Sequence, residues 1–190
     1  MLDFDERYLV RKSFYVTGTK KMGTVLDAGA ITLNGDGTVT MGCTAHGLPV
    51  GTEIYIGGSV AYNGYHTLTA IATNTFTFAA TETAEIMGGT ETVEIRLHPE
   101  ELFRLVEVRL HLNGASTTSE NFTVTLDSAE NAVYDAQLLY QDMNTFADYC
   151  YPWGNNACHH MKATEAIVFA WPNSNSKIWG LEAIYDVMQA

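Results

Sequence analysis

Residues 150–160 read Cys-Tyr-Pro-Trp-Gly-Asn-Asn-Ala-Cys-His-His, so two thiols and two imidazoles fall within eleven positions. Zinc is the ion such a donor set suits, because thiolate sulfur and imidazole nitrogen build its usual tetrahedral shell. The spacing argues against it. Seven residues separate Cys150 from Cys158, against roughly two to four in ordinary zinc knuckles. His159 and His160 are adjacent, so on a strand they point to opposite faces. The favoured reading is an aromatic loop, with Tyr149, Tyr151 and Trp153 packing on neighbours or on a partner subunit, since interface centres are enriched in aromatics. A structural zinc on Cys150, Cys158, His159 and His160 is the lesser alternative, and no other cofactor is expected.

The remaining reactive residue types read as structural. His46, in Ala45-His46-Gly47-Leu48, suits a hydrogen-bonded turn residue better than a base or ligand. Glu100 and Glu101 follow Pro99 and read as a solvated turn. Asp127, Asp135 and Asp142 could line a calcium or glycan site, but no Asp-rich calcium loop is present. The sequence holds no Gly-rich phosphate loop opening a helix, no Gly-x-Ser-x-Gly elbow and no His-Glu-x-x-His. Trp171 and Trp179 flank a turn and suit a core better than a sugar-stacking platform. No catalytic residue is expected.

The elements that must carry these residues are strands. Thr, Gly, Asn and Tyr are plentiful and only 17% of residues are charged, a composition that fits short strands joined by tight turns. In 104–113, Val106, Val108, Leu110 and Leu112 alternate with polar residues, the pattern of a half-buried antiparallel strand. The same alternation places Tyr8, Val10, Phe14 and Val16 on one face, and likewise Phe122, Val124 and Leu126. It also groups Tyr134, Ala136, Leu138 and Tyr140, and finally Trp179, Leu181, Ala183, Tyr185 and Val187. Residues 141–146 admit one turn of helix. Asn34-Gly35-Asp36-Gly37 and 62–65 read as hairpin turns, because Asn-Gly and Asp-Gly accept positive φ cheaply. The predicted fold is all-β: an antiparallel β-sandwich or jelly roll with an inserted or N-terminal small β-module. Residues 1–24 plus 92–190 are assigned to the sandwich and 25–91, sparse in charge, to the module.

Charge and cysteine usage bound the partners. A net charge of −12 repels phosphate backbones, so nucleic acid is not an expected partner. No apolar run reaches the length of a membrane helix, and the N-terminus is acidic where a secretory signal is basic. Synthesis in a cytoplasm is the expectation, with release by lysis rather than secretion if the chain works outside a cell. Three cysteines, an odd number, argue for buried thiols over a disulfide framework.

Residues 45–58, 62–71 and 73–78 carry an Ala-His-Gly-Leu turn, a Val-Gly turn, a strand ending in Gly, a Tyr-Asn-Gly turn and a Thr-Asn-Thr-Phe-Thr-Phe arm. This pattern resembles a small β-module found in many phage virion proteins. Thr52-Glu53 replaces the Asp common after Val-Gly, and Pro49 stands where a polar residue is usual. Segments 105–113, 120–127 and 134–135 also resemble small structural proteins of phage particles. The resemblance implies a non-enzymatic virion protein, expected as a capsid decoration or head-associated subunit that forms homo-oligomers and binds other virion proteins. A neck or tail component, or a receptor- or glycan-binding module, is the alternative.

Overall fold

Alternation along the last strand shows how the chain is built: Trp179, Leu181, Ala183, Tyr185 and Val187 are all buried. A computed structural model describes residues 9–153 and 160–188. In chain order the first strands are β1 (Leu9–Gly18), β2 (Thr24–Val25), β3 (Gly29–Ala30), β4 (Thr32–Leu33) and β5 (Thr38–Gly42). Then come β6 (Glu53–Gly57), β7 (Gly64–Ala72), β8 (Thr75–Ala79), β9 (Ile86–Met87) and β10 (Thr92–Leu97). The rest are β11 (Phe103–Leu112), β12 (Asn121–Asp127), β13 (Ala136–Asp142), β14 (Asp148–Pro152), β15 (His160–Met161), β16 (Ala166–Ala170) and β17 (Trp179–Met188).

The chain is all-β, as the alternation predicts, with two large antiparallel sheets packed together. One sheet runs β1-β17-β11-β14, with β15 also paired to β11. The other runs β13-β12-β16-β10-β6-β7-β8-β5-β4, with β2 also on β10. Phe14 of the first sheet stacks on Phe169 of the second, ring centroids 6.0 Å apart. Phe14 is partly buried and Phe169 fully; a fully buried side chain of this kind stabilises the fold by about 1.5–3 kcal/mol relative to exposure. Strands β3 to β9 lie between β1 and β10 in the chain. The second sheet takes in β4 to β8, while β3 and β9 pair apart as a two-stranded sheet; β10 joins its halves by pairing with β6 at Thr92–Glu94 and with β16 at Ile95–Leu97.

Turn chemistry sets the small strands. The β4–β5 hairpin closes through Asn34 with Gly35 and Gly37 at φ +78 and +82, as the Asn-Gly-Asp-Gly run predicts. The β6–β7 connection comes earlier than expected, at 58–63, and Gly64 and Tyr65 already belong to β7.

Three expectations are corrected. Val106 is only half-buried, because a bulge between Leu105 and Glu107 reverses the strand's phase. Phe103 and Leu105 point inward before it, and Val108, Leu110 and Leu112 after it. In β13 the bulge at Leu138 makes Leu139 the buried residue, opposite Val124, and leaves Tyr140 exposed. Residues 141–146 form a strand end and turns rather than a helical turn. The 3-10 turn is Ala132–Tyr134, where the Asn131 side chain accepts from the Val133 N–H, and it absorbs Tyr134.

Candidate functional site

The aromatic segment is a strand, not the loop expected from its Pro and Gly content. Tyr149 and Tyr151 lie in β14, at an edge of the five-stranded sheet. They lie opposite Leu110 and Val108, both buried, and therefore share the sheet's inner face. Tyr149 is half-buried with its ring edge-on to Phe146, while Tyr151 is partly exposed and meets Trp153 at 4.7 Å. Trp153 itself is buried, and its backbone N–H donates to the Val106 carbonyl at the bulge (2.8 Å).

Cys150 points to the outer face, opposite Arg109. Its thiol donates to Glu107 Oε1 at 2.9 Å. Glu107 also pairs with Arg109, which reaches Glu182 at 3.0 Å, and His111 pairs with Asp148. The hydrogen bond to Glu107, aided by desolvation, pushes the Cys150 thiol above its ordinary value. It is a weak nucleophile and a poor metal ligand at neutral pH. His160 lies opposite Arg104 on the same strand that places Cys150 opposite Arg109. Five positions along a strand span roughly 15 Å, so Cys150 and His160 do not meet at one ion. Cys158 and His159 lie outside the described residues. Among the described residues, no three of His, Cys, Asp or Glu are placed to hold a metal.

An edge of the larger sheet presents a second aromatic surface. On β13, Tyr140 is exposed beside Asn121, whose side-chain amide donates to its hydroxyl, and Val133 and Tyr134 are exposed just before this strand. Strands β13 and β14 end their sheets, so each leaves one row of backbone N–H and C=O groups unpaired among the described residues.

His46 is buried in its turn. Its Nε2 lies 2.9 Å from the Ala72 carbonyl and 3.1 Å from that of Thr75, while Nδ1 accepts from the Leu48 N–H at 3.1 Å. Two carbonyls and one amide define a neutral ring with the proton on Nε2. Gly47 follows at φ +64 and accepts from the Thr19 N–H, which ties this turn to the end of β1.

Of the candidate residues read from the sequence, only Asp127 foreshadowed a polar recess on the outer face of the larger sheet. Arg96 lies 3.8 Å over the Tyr55 ring and pairs with Glu94 and Asp127. Tyr65 packs edge-on to Tyr55 and stacks on His98, centroids 5.2 Å apart. Burial pushes the Tyr65 phenol up to about 12 and raises the Asp127 carboxyl. The cavity beside them, about 370 Å³, is closed by Ser128 and Thr164. It could bind a polar ligand, but Arg96 is already neutralised by its two carboxylates. Besides Asp127, its sequence signal was Glu94 and Arg96, two apart on one face of β10. Tyr55, Tyr65 and Asp127 reach it from β6, β7 and β12.

Asp127, Asp135 and Asp142 do not form one carboxylate site. Asp127 is held by Arg96, Asp135 accepts from the Ser128 N–H, and Asp142 binds Ser119 and the Asn144 N–H at the other end of the β12–β13 pair. Trp171 and Trp179 are core residues, each 1% exposed. No family model, characterised protein or solved structure matches the chain.

Proposed function

We propose that this chain is a non-catalytic structural subunit of a tailed-bacteriophage particle. It would act as a capsid decoration or other head-associated protein that holds neighbours together by burying intersubunit surface. The observation that carries this reading is that two of the strands ending the sheets, β13 and β14, bear exposed aromatic side chains. Unpaired strand edges with large apolar groups dock readily on another chain. The module pattern at 45–78 supports a virion setting, and the net charge of −12 suits a basic docking surface. Localisation in the virion, with homo-oligomers and other virion proteins as partners, follows from the same reading; a neck or tail position is its nearest variant.

A second reading is glycan recognition, favoured by the Tyr65, His98 and Asp127 recess. Co-sedimentation of the purified chain with emptied phage capsids, run beside a glycan array, separates the two. The structural role predicts capsid binding that Tyr140→Asp and Tyr151→Asp weaken, with no glycan retained. Glycan binding abolished by Asp127→Ala, without capsid binding, would overturn it.

A further inference from the structure

A surface groove of about 600 Å³ lies where the end of β1, the His46 turn and the end of β7 converge. Leu48, Pro49, Ile71 and Ile178 line it, and Ile71 and Ile178 are 44% and 54% exposed. Lys20 is the one charged residue in its lining, and Lys21 and Lys177 adjoin it in sequence. No carboxylate lines it.

A complementary feature sits at the other end of β7. In the loop joining β6 to β7, Val60 is 94% exposed, and Ile86 beside it on β9 is 77% exposed. The loop is held firmly. The Glu85 carboxylate accepts from Ser59 Oγ (2.8 Å) and from the N–H groups of Val60 (2.7 Å) and Ala61 (3.0 Å). Ser59 Oγ accepts from the Tyr62 N–H, and the Tyr62 hydroxyl donates to the Thr83 carbonyl. An apolar side chain displayed on a fixed loop loses little conformational freedom when it is buried.

Charge matches the two ends. No Lys or Arg occurs in 25–91, and the tip end holds the Glu85 carboxylate with Glu91 near enough to oppose its ionisation. The groove, by contrast, is lined by Lys20, with Lys21 and Lys177 next to its lining residues in the chain. An acidic tip and a lysine-flanked groove attract each other and repel their own kind.

We propose that copies of this chain associate head to tail, the Val60–Ile86 tip of one seating in the Leu48–Ile71–Ile178 groove of the next. This rests on the structural-subunit reading and gives it an assembly rule. Strand β7 has nine residues, which separates tip from groove by roughly 25–30 Å. One copy therefore cannot satisfy its own groove, and the contact is heterologous. Such contacts close into rings or run on as filaments.

Sedimentation velocity on the full chain tests this with two variants, Val60→Asp and Ile71→Asp, whose β content is first checked by circular dichroism. The wild type is expected to sediment as a multimer and each variant alone as a monomer. An equimolar mixture is expected to give a dimer and nothing larger, because only one intact tip and one intact groove remain to meet. Ile178→Asp replaces Ile71→Asp if that variant does not fold. A monomeric wild type at its highest soluble concentration, a multimeric Val60→Asp, or a mixture without dimer would overturn the proposal. A monomeric wild type that still binds emptied capsids overturns this contact alone. A head-to-tail multimer that binds none overturns the virion reading alone.

Discussion

Replacing Asp186 by Asn removes one negative charge from near the end of β17 and changes its shape very little. The carboxylate accepts from Arg11 Nε at 2.9 Å and Nη2 at 3.1 Å, and from Arg104 Nε at 3.0 Å. One side chain thus ties β1, β17 and β11 together. The Arg11 side chain is 59% exposed, so that pair contributes less than about 1 kcal/mol. The Arg104 side chain is 8% exposed and that of Asp186 4%. Removing one partner of a buried pair leaves the other charge uncompensated, at a cost of about 3–5 kcal/mol. The amide oxygen still accepts one hydrogen bond, so the expected loss is at the lower end, about 3 kcal/mol.

For a chain of this size the loss corresponds to a fall in Tm of roughly 6–12 °C. Urea denaturation followed by the fluorescence of buried Trp171 and Trp179 measures it. The paired replacement Arg104→Met with Asp186→Leu should recover most of the loss, since two apolar side chains need no compensation. The pH dependence has a definite sign. Burial opposes ionisation of Asp186, but the Arg11 and Arg104 hydrogen bonds outweigh it and hold the carboxyl below its ordinary value. The stability is therefore complete above the unfolded value near about 3.9 and disappears as pH falls through the lower folded value. Wild type and Asp186→Asn should converge in acid. A loss under about 1 kcal/mol at neutral pH, or a double variant as weak as the single, refutes the reasoning.

A β-carbon at Gly47 would lie 2.6 Å from Lys20 Cγ and 2.8 Å from the Lys20 backbone nitrogen, at φ +64. Gly47→Ala should therefore cost about 2 kcal/mol or more, while Gly35→Ala, at φ +78 in open space, costs only about 1; equal urea midpoints for the two would contradict this. With iodoacetamide at about pH 8 and peptide mass spectrometry, Cys150 should alkylate more slowly than a free thiol, and Glu107→Gln should speed it several-fold. Cys43, buried and pushed up to about 12 by desolvation, should stay unmodified until urea unfolds the chain; native labelling as fast as at Cys150 would count against its place in the core.

The fold was legible wherever apolar residues alternate without interruption. Trp179 to Val187, Phe122 to Leu126, and Val39, Met41 and Cys43 all turn inward as their spacing predicts. Bulges were not legible. Leu105 and Val106 are both apolar, so the sequence cannot say which of them the strand turns outward, and Leu138 and Leu139 pose the same ambiguity. Tyr149, Tyr151 and Trp153 carried a period-two signal that Pro152 and the following Gly154 obscured. The docking surfaces were legible only as single residues. Exposure of Val60, Ile86 and Tyr140, and the Arg96 recess, arise from strands distant in the chain, and local pattern cannot report which side chains the sheets leave uncovered.

Quantitative mass spectrometry of gradient-purified particles tests the virion role most directly. The account predicts the chain in mature particles at a fixed ratio to the major shell protein, corresponding to many symmetric copies. Its presence in the lysate but absence from the particles would contradict it.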